Sequence, residues 1–401
     1  MPTYYNFSEN GNVYSFDDVF VRRDVLADGQ VFTWGSSSFG QTADWTTAFS
    51  RSTPKQEFTS NINWLKLPSN SSSQSSSMLA IKSDGTLWSW GRNNYGQLGD
   101  NTLADRSTPR QEFTSSTNWV QVSAGAHSAA IKSDGSLWCW GLNSYGQLGD
   151  NTAGNTAYKS TPRQISAGAN GITGWKQVDC GGFHTIALRN DGTLWAWGRN
   201  SQGQVGDNTT ITRSSPRQIS AGATGITGWK QISGGTSFSA AIRTNNTLWV
   251  WGDNFYGNLG DNTNISKSLP VQEFTADTNW KQVSCNNYTT AAIKNDGTLW
   301  TWGLNNYGQL GDNTTITKSS PRQEFTASNN WKQVSAGANH ILALKSNGTL
   351  WGWGQNTNGQ VGDNTSGTNA NRSTPRQEFT ASNNWKQVCA SNQTTVAIKY
   401  I

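Results

Sequence analysis

Histidine and cysteine are scarce: His127, His184 and His340 are the three histidines, and Cys139, Cys180, Cys285 and Cys389 the four cysteines, of a 401-residue chain. They form no C-x-x-C and no H-E-x-x-H, so a zinc ribbon, a dithiol redox site and a metalloprotease helix are excluded, and no metal is expected. The dispersed cysteines read as small, reduced core residues. No stretch of 18 apolar residues occurs, so a membrane-spanning helix is not expected. The opening "MPTYYNFSENGNVYSF" has neither the basic start nor the apolar segment of a secretory signal, which leaves a cytoplasmic product as the expectation. Charge is also sparse, with 30 Lys and Arg against 25 Asp and Glu. The net +5 is too mild for obligate nucleic-acid binding and is compatible with an acidic partner. Gly91, Gly96 and Gly99 superficially suggest a phosphate loop, but no Gly-Lys-Ser/Thr follows them, so no nucleotide or other cofactor is expected.

What the chain does contain is 21 tryptophans and 42 glycines, and most of the tryptophans are periodic. A Trp-Gly pair recurs at Trp34, Trp90, Trp140, Trp197, Trp251, Trp302 and Trp353, at intervals of 50 to 57 residues. A second series stands at Trp64, Trp119, Trp175, Trp229, Trp280, Trp331 and Trp385. A third lies two residues before the first, at Trp88, Trp138, Trp195, Trp249, Trp300 and Trp351, with Phe32 in its place in the earliest unit. Only Trp45 falls outside these series. Each unit reads as four short strands: a P-R-Q segment, W-K-Q-V, x-A-I-K and L-W-x-W-G. Asp-Gly or Asn-Gly between the last two supplies the positive φ of a tight hairpin. No segment has sustained helical periodicity.

A four-stranded sheet repeated seven times predicts an all-β fold, a closed seven-bladed β-propeller of antiparallel blades spanning residues 28 to 401. The chain starts with an L-W-x-W-G equivalent at 31 to 35 and ends on an x-A-I-K strand. The N-terminal strand is therefore expected to complete the last blade and close the ring, leaving no open edge there. Residues 1 to 27 remain as an extra segment, an attachment arm or one further strand from "VFVRRDVL".

The words "LWSWGRNNYGQLGDNT", "TPRQ" and "VSAGAHSAAIK" or "VDCGGFHTIALR" resemble the repeat of the regulator of chromosome condensation family, across residues 28 to 401. That resemblance implies a seven-bladed propeller. The family includes a nucleotide exchange factor for a small GTPase and a propeller-type inhibitor of β-lactamases, so it does not settle activity. The near-identical blades and the N-terminal words are closest in style to bacterial and tailed-phage members. This makes a virion component one expectation, with virion proteins as partners; an exchange-factor-like regulator and an enzyme inhibitor are the alternatives.

Catalysis needs unlike groups gathered at one place, whereas the Gly-Asp-Asn-Thr aspartates Asp100, Asp150, Asp207, Asp261, Asp312 and Asp363 recur once per unit. They are expected to bond turn amides. The histidines each occupy a G-x-x-H slot of a different unit and are expected to bond a blade turn. No catalytic residue and no enzyme activity is expected. Two binding candidates remain. One is a basic residue before each Ser-Thr-Pro segment, Arg51, Arg106, Lys159, Arg213, Lys267, Lys318 and Arg372, which either pairs with acidic turns of neighbouring blades or forms a salt-sensitive ring for an acidic partner. The other is the irregular loop with Trp45 and Phe49, suited to a protein or glycan contact, or else buried under the N-terminal segment. Further irregular connections are the polar insertion at 69 to 77 and the loops at 165 to 174 and 219 to 228. A protein-binding or structural module is the expected function.

Overall fold

The computed structural model describes residues 8–9, 12–13, 29–45, 47, 50–68, 76–165, 173–219 and 228–400. The strand expected in "VFVRRDVL", and most of the insertion at 69 to 77 and of the loops at 165 to 174 and 219 to 228, lie outside these residues. At the N-terminus Ser8–Glu9 pairs with Asn12–Val13.

Seven four-stranded antiparallel sheets follow. In blade III the strands are Trp175–Cys180, His184–Arg189, Leu194–Gly198 and Arg213–Gln218, in that order from the propeller axis outward. Blades I, II, IV, V, VI and VII begin their inner strands at Trp64, Trp119, Trp229, Trp280, Trp331 and Trp385. In blade VII the third strand is Gly29–Gly35, paired through seven residues with Thr394–Tyr400, so the N-terminal strand closes the ring.

Hydrophobic cores lie between blades rather than within them. Trp175, Val178, Cys180 and Trp197 of blade III pack on Ala129, Ile131, Leu137 and Cys139 of blade II. The closing interface sets Val31 and Ile398 of blade VII against Trp64, Met78 and Trp90 of blade I. Wedge-shaped space between twisted sheets needs bulky fillers, and the indoles provide them. Trp175 meets Trp195 and Trp197 at centroid distances of 6.1 and 6.2 Å. Burying one indole removes about 200 Å² from water, on the order of 5 kcal/mol. All four cysteines are buried, and none forms a disulfide among the described residues.

The G-Q-L-G words fasten one blade to the next. Trp140 Nε1 donates to the carbonyl of Gln97 at 2.9 Å, and Trp197 Nε1 does the same to Gln147. Trp34 closes the ring by donating to Gln360 at 3.0 Å. Glycine is required here: at Gly96, with φ +75°, a Cβ would stand 2.4 Å from Ser160 Cα of the neighbouring outer strand.

Candidate functional site

The repeated polar residues are consumed in holding the ring together. Asp100 accepts the amide and hydroxyl of Thr102 on one oxygen, at 3.1 and 2.6 Å, and Arg106 at 2.8 Å on the other. Burial pushes its carboxyl up, but the Thr102 and Arg106 bonds outweigh this and hold it below its ordinary value; Asp207 and Asp363 behave alike. The carboxylates thus bond turn groups, as their periodicity suggested.

The histidines reach further than a turn, onto the next blade. His127 Nε2 lies 2.8 Å from Thr185 Oγ1, His184 Nε2 2.8 Å from Ser239 Oγ, and His340 Nε2 3.4 Å from Thr395 Oγ1. Each of these hydroxyls donates its proton to a main-chain carbonyl, of Gln147, Gln204 and Gln360. The imidazole must therefore donate through Nε2, leaving Nδ1 unprotonated; all three Nδ1 atoms are buried without a partner among the described residues. Burial drives the three pKa values down to about 3, with His184 adding to the effect on His127. The G of G-x-x-H makes room for the ring, since a Cβ on Gly181 would lie 2.2 Å from His184 Cε1. Among the described residues no group of three or more His, Cys, Asp or Glu could hold a metal.

Six glutamines clamp the inner strands. Gln121 Nε2 donates to the carbonyl of Val178 and its Oε1 accepts the Val178 amide, both at 2.9 Å. The carboxamide thus acts as a surrogate strand residue where no backbone ladder bridges two blades. Gln177, Gln231, Gln282 and Gln333 repeat the clamp, and Gln387 grips Leu67 across the ring closure. Blade I departs from this: Lys66 stands in the slot and donates to Val120 O at 2.8 Å.

The seven basic ring candidates start the outer strands. Six of them meet the aspartate of their own unit: Arg51 with Asp44, Arg106 with Asp100, Lys159 with Asp150, Arg213 with Asp207, Lys267 with Asp261 and Arg372 with Asp363. Lys318 makes no ion pair among the described residues. Trp45 is 63% exposed and packs edge-on against Phe58 at 5.0 Å. Phe49 lies outside the described residues.

Symmetry breaks elsewhere, on the face formed by the connections between inner and second strands and between third and outer strands. Across blades III to V, Phe183, Arg199, Gln202, Thr236, Ser237, Asp253, Phe255, Tyr256 and Tyr288 line an open cavity of about 490 Å³. Tyr256 packs tilted against Tyr288 at 4.9 Å and edge-on against Phe255 at 4.8 Å, and Phe255 is 70% exposed. The Arg199 guanidinium stands 5.3 Å from the Tyr145 ring centre and 5.9 Å from that of Phe183. Asp253 makes no ion pair among the described residues, and burial lifts its pKa. Burial, then Asp253 and Tyr256, raise that of Tyr288. One concave surface therefore offers aromatic faces, a cation and a carboxylate, the mixture that protein interfaces concentrate at their centres.

Sequence periodicity did not single out these residues. Their signal lies in two variable columns of the repeat. The residue before the G-x-x-H slot is Ser76, Ala126, Phe183, Ser237, Tyr288, Asn339 or Gln393, and the residue after Trp-Gly is Ser36, Arg92, Leu142, Arg199, Asp253, Leu304 or Gln355.

Comparison with known proteins agrees with this architecture. The RCC1-like domain family matches residues 112–400, and the regulator of chromosome condensation (RCC1) repeat matches residues 84–131. The ultraviolet-B receptor UVR8 of Arabidopsis thaliana is 33% identical over 294 residues, which cover 73% of this chain and 66% of the receptor. The probable E3 ubiquitin-protein ligase HERC4 of Homo sapiens is 33% identical over 314 residues, 76% of this chain but 28% of the ligase. The chain thus spans just under two thirds of the first relative and a minor part of the second. Among solved structures, Prp20p of Saccharomyces cerevisiae, studied for its binding to Gsp1p and histones, superposes with a TM-score of 0.80 at 20% identity, covering 94% of this chain and 92% of Prp20p. Human WBSCR16 gives 0.77 at 21% identity, with 93% and 99% covered. These two structures share the fold. With the repeat words, the closed ring of seven blades and the family match in agreement, the chain belongs to the RCC1-like domain family.

Proposed function

We propose that this protein is a non-catalytic propeller that binds a protein partner through the aromatic and charged face of blades III to V. The observation that carries the reading is the contrast between the two classes of polar residue. The Gly-Asp-Asn-Thr aspartates and the histidines satisfy other parts of the ring, whereas Arg199, Asp253, Phe255, Tyr256 and Tyr288 converge on an open cavity. A rigid scaffold presenting irregular connections is the usual arrangement for recognition. The related Prp20p, with its binding to Gsp1p and histones, supports a protein partner at the level of fold. A photoreactive amino acid placed at position 255 should crosslink a defined protein in cells, while one at Phe379, an exposed aromatic of another blade, should not. The same crosslinked set from both positions would refute the assignment.

The finer readings separate by simple assays. A virion role requires the protein in purified phage particles by mass spectrometry. A regulator of a small GTPase would accelerate nucleotide release in a GTPase panel, and an enzyme inhibitor would form a stable complex with its target hydrolase. The basic ring and Trp45 stay candidates for secondary contacts; six of the seven ring cations would first have to leave an aspartate.

A further inference from the structure

The connection from one blade toward the next carries an aromatic residue that leans on the following blade, and two variable columns of that blade decide what it meets. Between blades II and III, Tyr145 packs against Phe183 at 5.5 Å with the rings 70° apart, and the Arg199 guanidinium completes the group at 5.3 and 5.9 Å from the two ring centres. Between blades VII and I, Phe39 receives Arg92 at 4.8 Å. In both places the ring of one unit holds the arginine that follows Trp-Gly in the next. Between blades IV and V the same columns contain Tyr256, Tyr288 and Leu304. The ring pair is rebuilt there, with centroids 4.9 Å apart and a tilt of 56°. Leucine, however, takes the arginine's column, and no cation of the described residues lies over either tyrosine. Both tyrosines line the open cavity, and Phe255 adds a third ring edge-on to Tyr256.

A carboxylate shares this cavity with the rings. Asp253 is the one acid in the column after Trp-Gly, and it lines the cavity with Tyr256 and Tyr288. Its Oδ1 accepts a long bond of 3.4 Å from the Phe255 amide, and it pairs with no cation among the described residues. Half-buried without a counter-charge, it carries a desolvation cost that lifts its pKa, and its charge is felt in turn by Tyr288. Arg199, the cation of the same cavity, is held by its own ring pair and by the Ser201 hydroxyl at 3.0 Å, and forms no ion pair with Asp253. The chain thus fills two of its ring sites with its own arginines and leaves the third, the one with a carboxylate beside it, open to solvent.

We infer that this cavity receives an arginine side chain of the protein partner, its guanidinium against the Tyr256 and Tyr288 rings and its charge against Asp253. The inference rests on the binding face proposed above and names what that face reads. A guanidinium is planar and weakly hydrated, stacks on aromatic rings and meets a carboxylate through paired N–H groups, so arginine suits the site better than lysine.

Saturation-transfer NMR on the full chain with N-acetyl-arginine methylamide tests it, beside the citrulline analogue, a neutral near-isostere, and the aspartate analogue. Expected is saturable binding of the arginine compound alone. Asp253→Asn, which keeps the Oδ1 acceptor for the Phe255 amide and should leave the melting temperature unchanged, should weaken that binding about tenfold, and Tyr256→Ala by about fivefold or more. Arg92→Gln, which removes the arginine stacked on Phe39 at a different interface, should bind as the parent does. Equal binding of the citrulline compound, preference for the aspartate compound, unchanged affinity in Asp253→Asn or no saturable binding would each overturn the arginine site. A crosslink from position 255 that persists undiminished in Asp253→Asn would overturn the arginine and keep the face, whereas no crosslink from position 255 in the parent would overturn the face itself.

Discussion

Acidification should destabilise the ring through its three inter-blade histidines well before its carboxylates titrate. Each imidazole is neutral in the folded protein, with a pKa near 3, and returns to about 6.5 when unfolded. Between these values the unfolded chain binds protons that the native chain refuses, so stability falls as pH falls from 6.5 toward 3. The structural reason is explicit. Protonating Nδ1 would place a charged donor in a buried position with no acceptor. One pKa unit is about 1.4 kcal/mol, so at pH 5 each histidine costs about 2 kcal/mol relative to pH 7, and the three together about 6. The aspartates cannot mimic this. Asp100, Asp207 and Asp363 have folded values depressed below the ordinary 3.8, so their contribution is intact at pH 5 and is lost only as pH falls further. Urea unfolding at pH 7, 6 and 5 measures the slope directly. A variant carrying His127→Thr, His184→Thr and His340→Thr, the residue blade V uses at Thr289, should lose less than about 1 kcal/mol over the same range, whatever its stability at pH 7. Equal slopes for parent and variant would refute the buried-neutral-histidine argument.

Gln333→Ala removes a two-bond clamp on Val388 and strands its amide and carbonyl, so denaturant unfolding should show a loss of about 2 kcal/mol. Lys66→Gln fills the one slot that lacks this clamp and relieves a lysine whose pKa burial lowers; a gain of about 1 kcal/mol is expected in the same assay. Gly146→Ala drives a Cβ to 2.5 Å from Ser214 Cα at φ +75°, and should cost about 2 kcal/mol or more, read as a lower melting temperature.

The ring was legible because its constraints repeat. Tryptophan spacing counted the blades, and the truncated units at the two ends revealed that Gly29–Gly35 would pair with Thr394–Tyr400. The Gly-Asp-Asn-Thr aspartates were correctly assigned to turns. The histidines were assigned to turns as well, but their acceptors lie 55 to 58 residues away on the next blade, a distance that local reading does not span. The outer cations were read as either paired with acidic turns of neighbouring blades or free to form a ring; six of the seven are paired, but with an aspartate six to nine residues earlier in their own unit, because the turn before the outer strand folds back onto that strand. The Phe255 and Tyr256 cavity escaped for the opposite reason. A search for what recurs passes over columns that vary, and it is there that three neighbouring blades differ.

A paired comparison of thermal unfolding and photocrosslinking tests the division between a symmetric scaffold and an asymmetric binding face. Asp207→Asn and Tyr256→Ala would each be combined with a photoreactive residue at position 255. Asp207→Asn, which weakens the contact with Arg213, should lower the melting temperature and keep the crosslinked partner, while Tyr256→Ala should keep the melting temperature and lose the partner. The reverse pattern, partner lost with Asp207→Asn at unchanged melting temperature and retained in Tyr256→Ala, would contradict the assignment of roles.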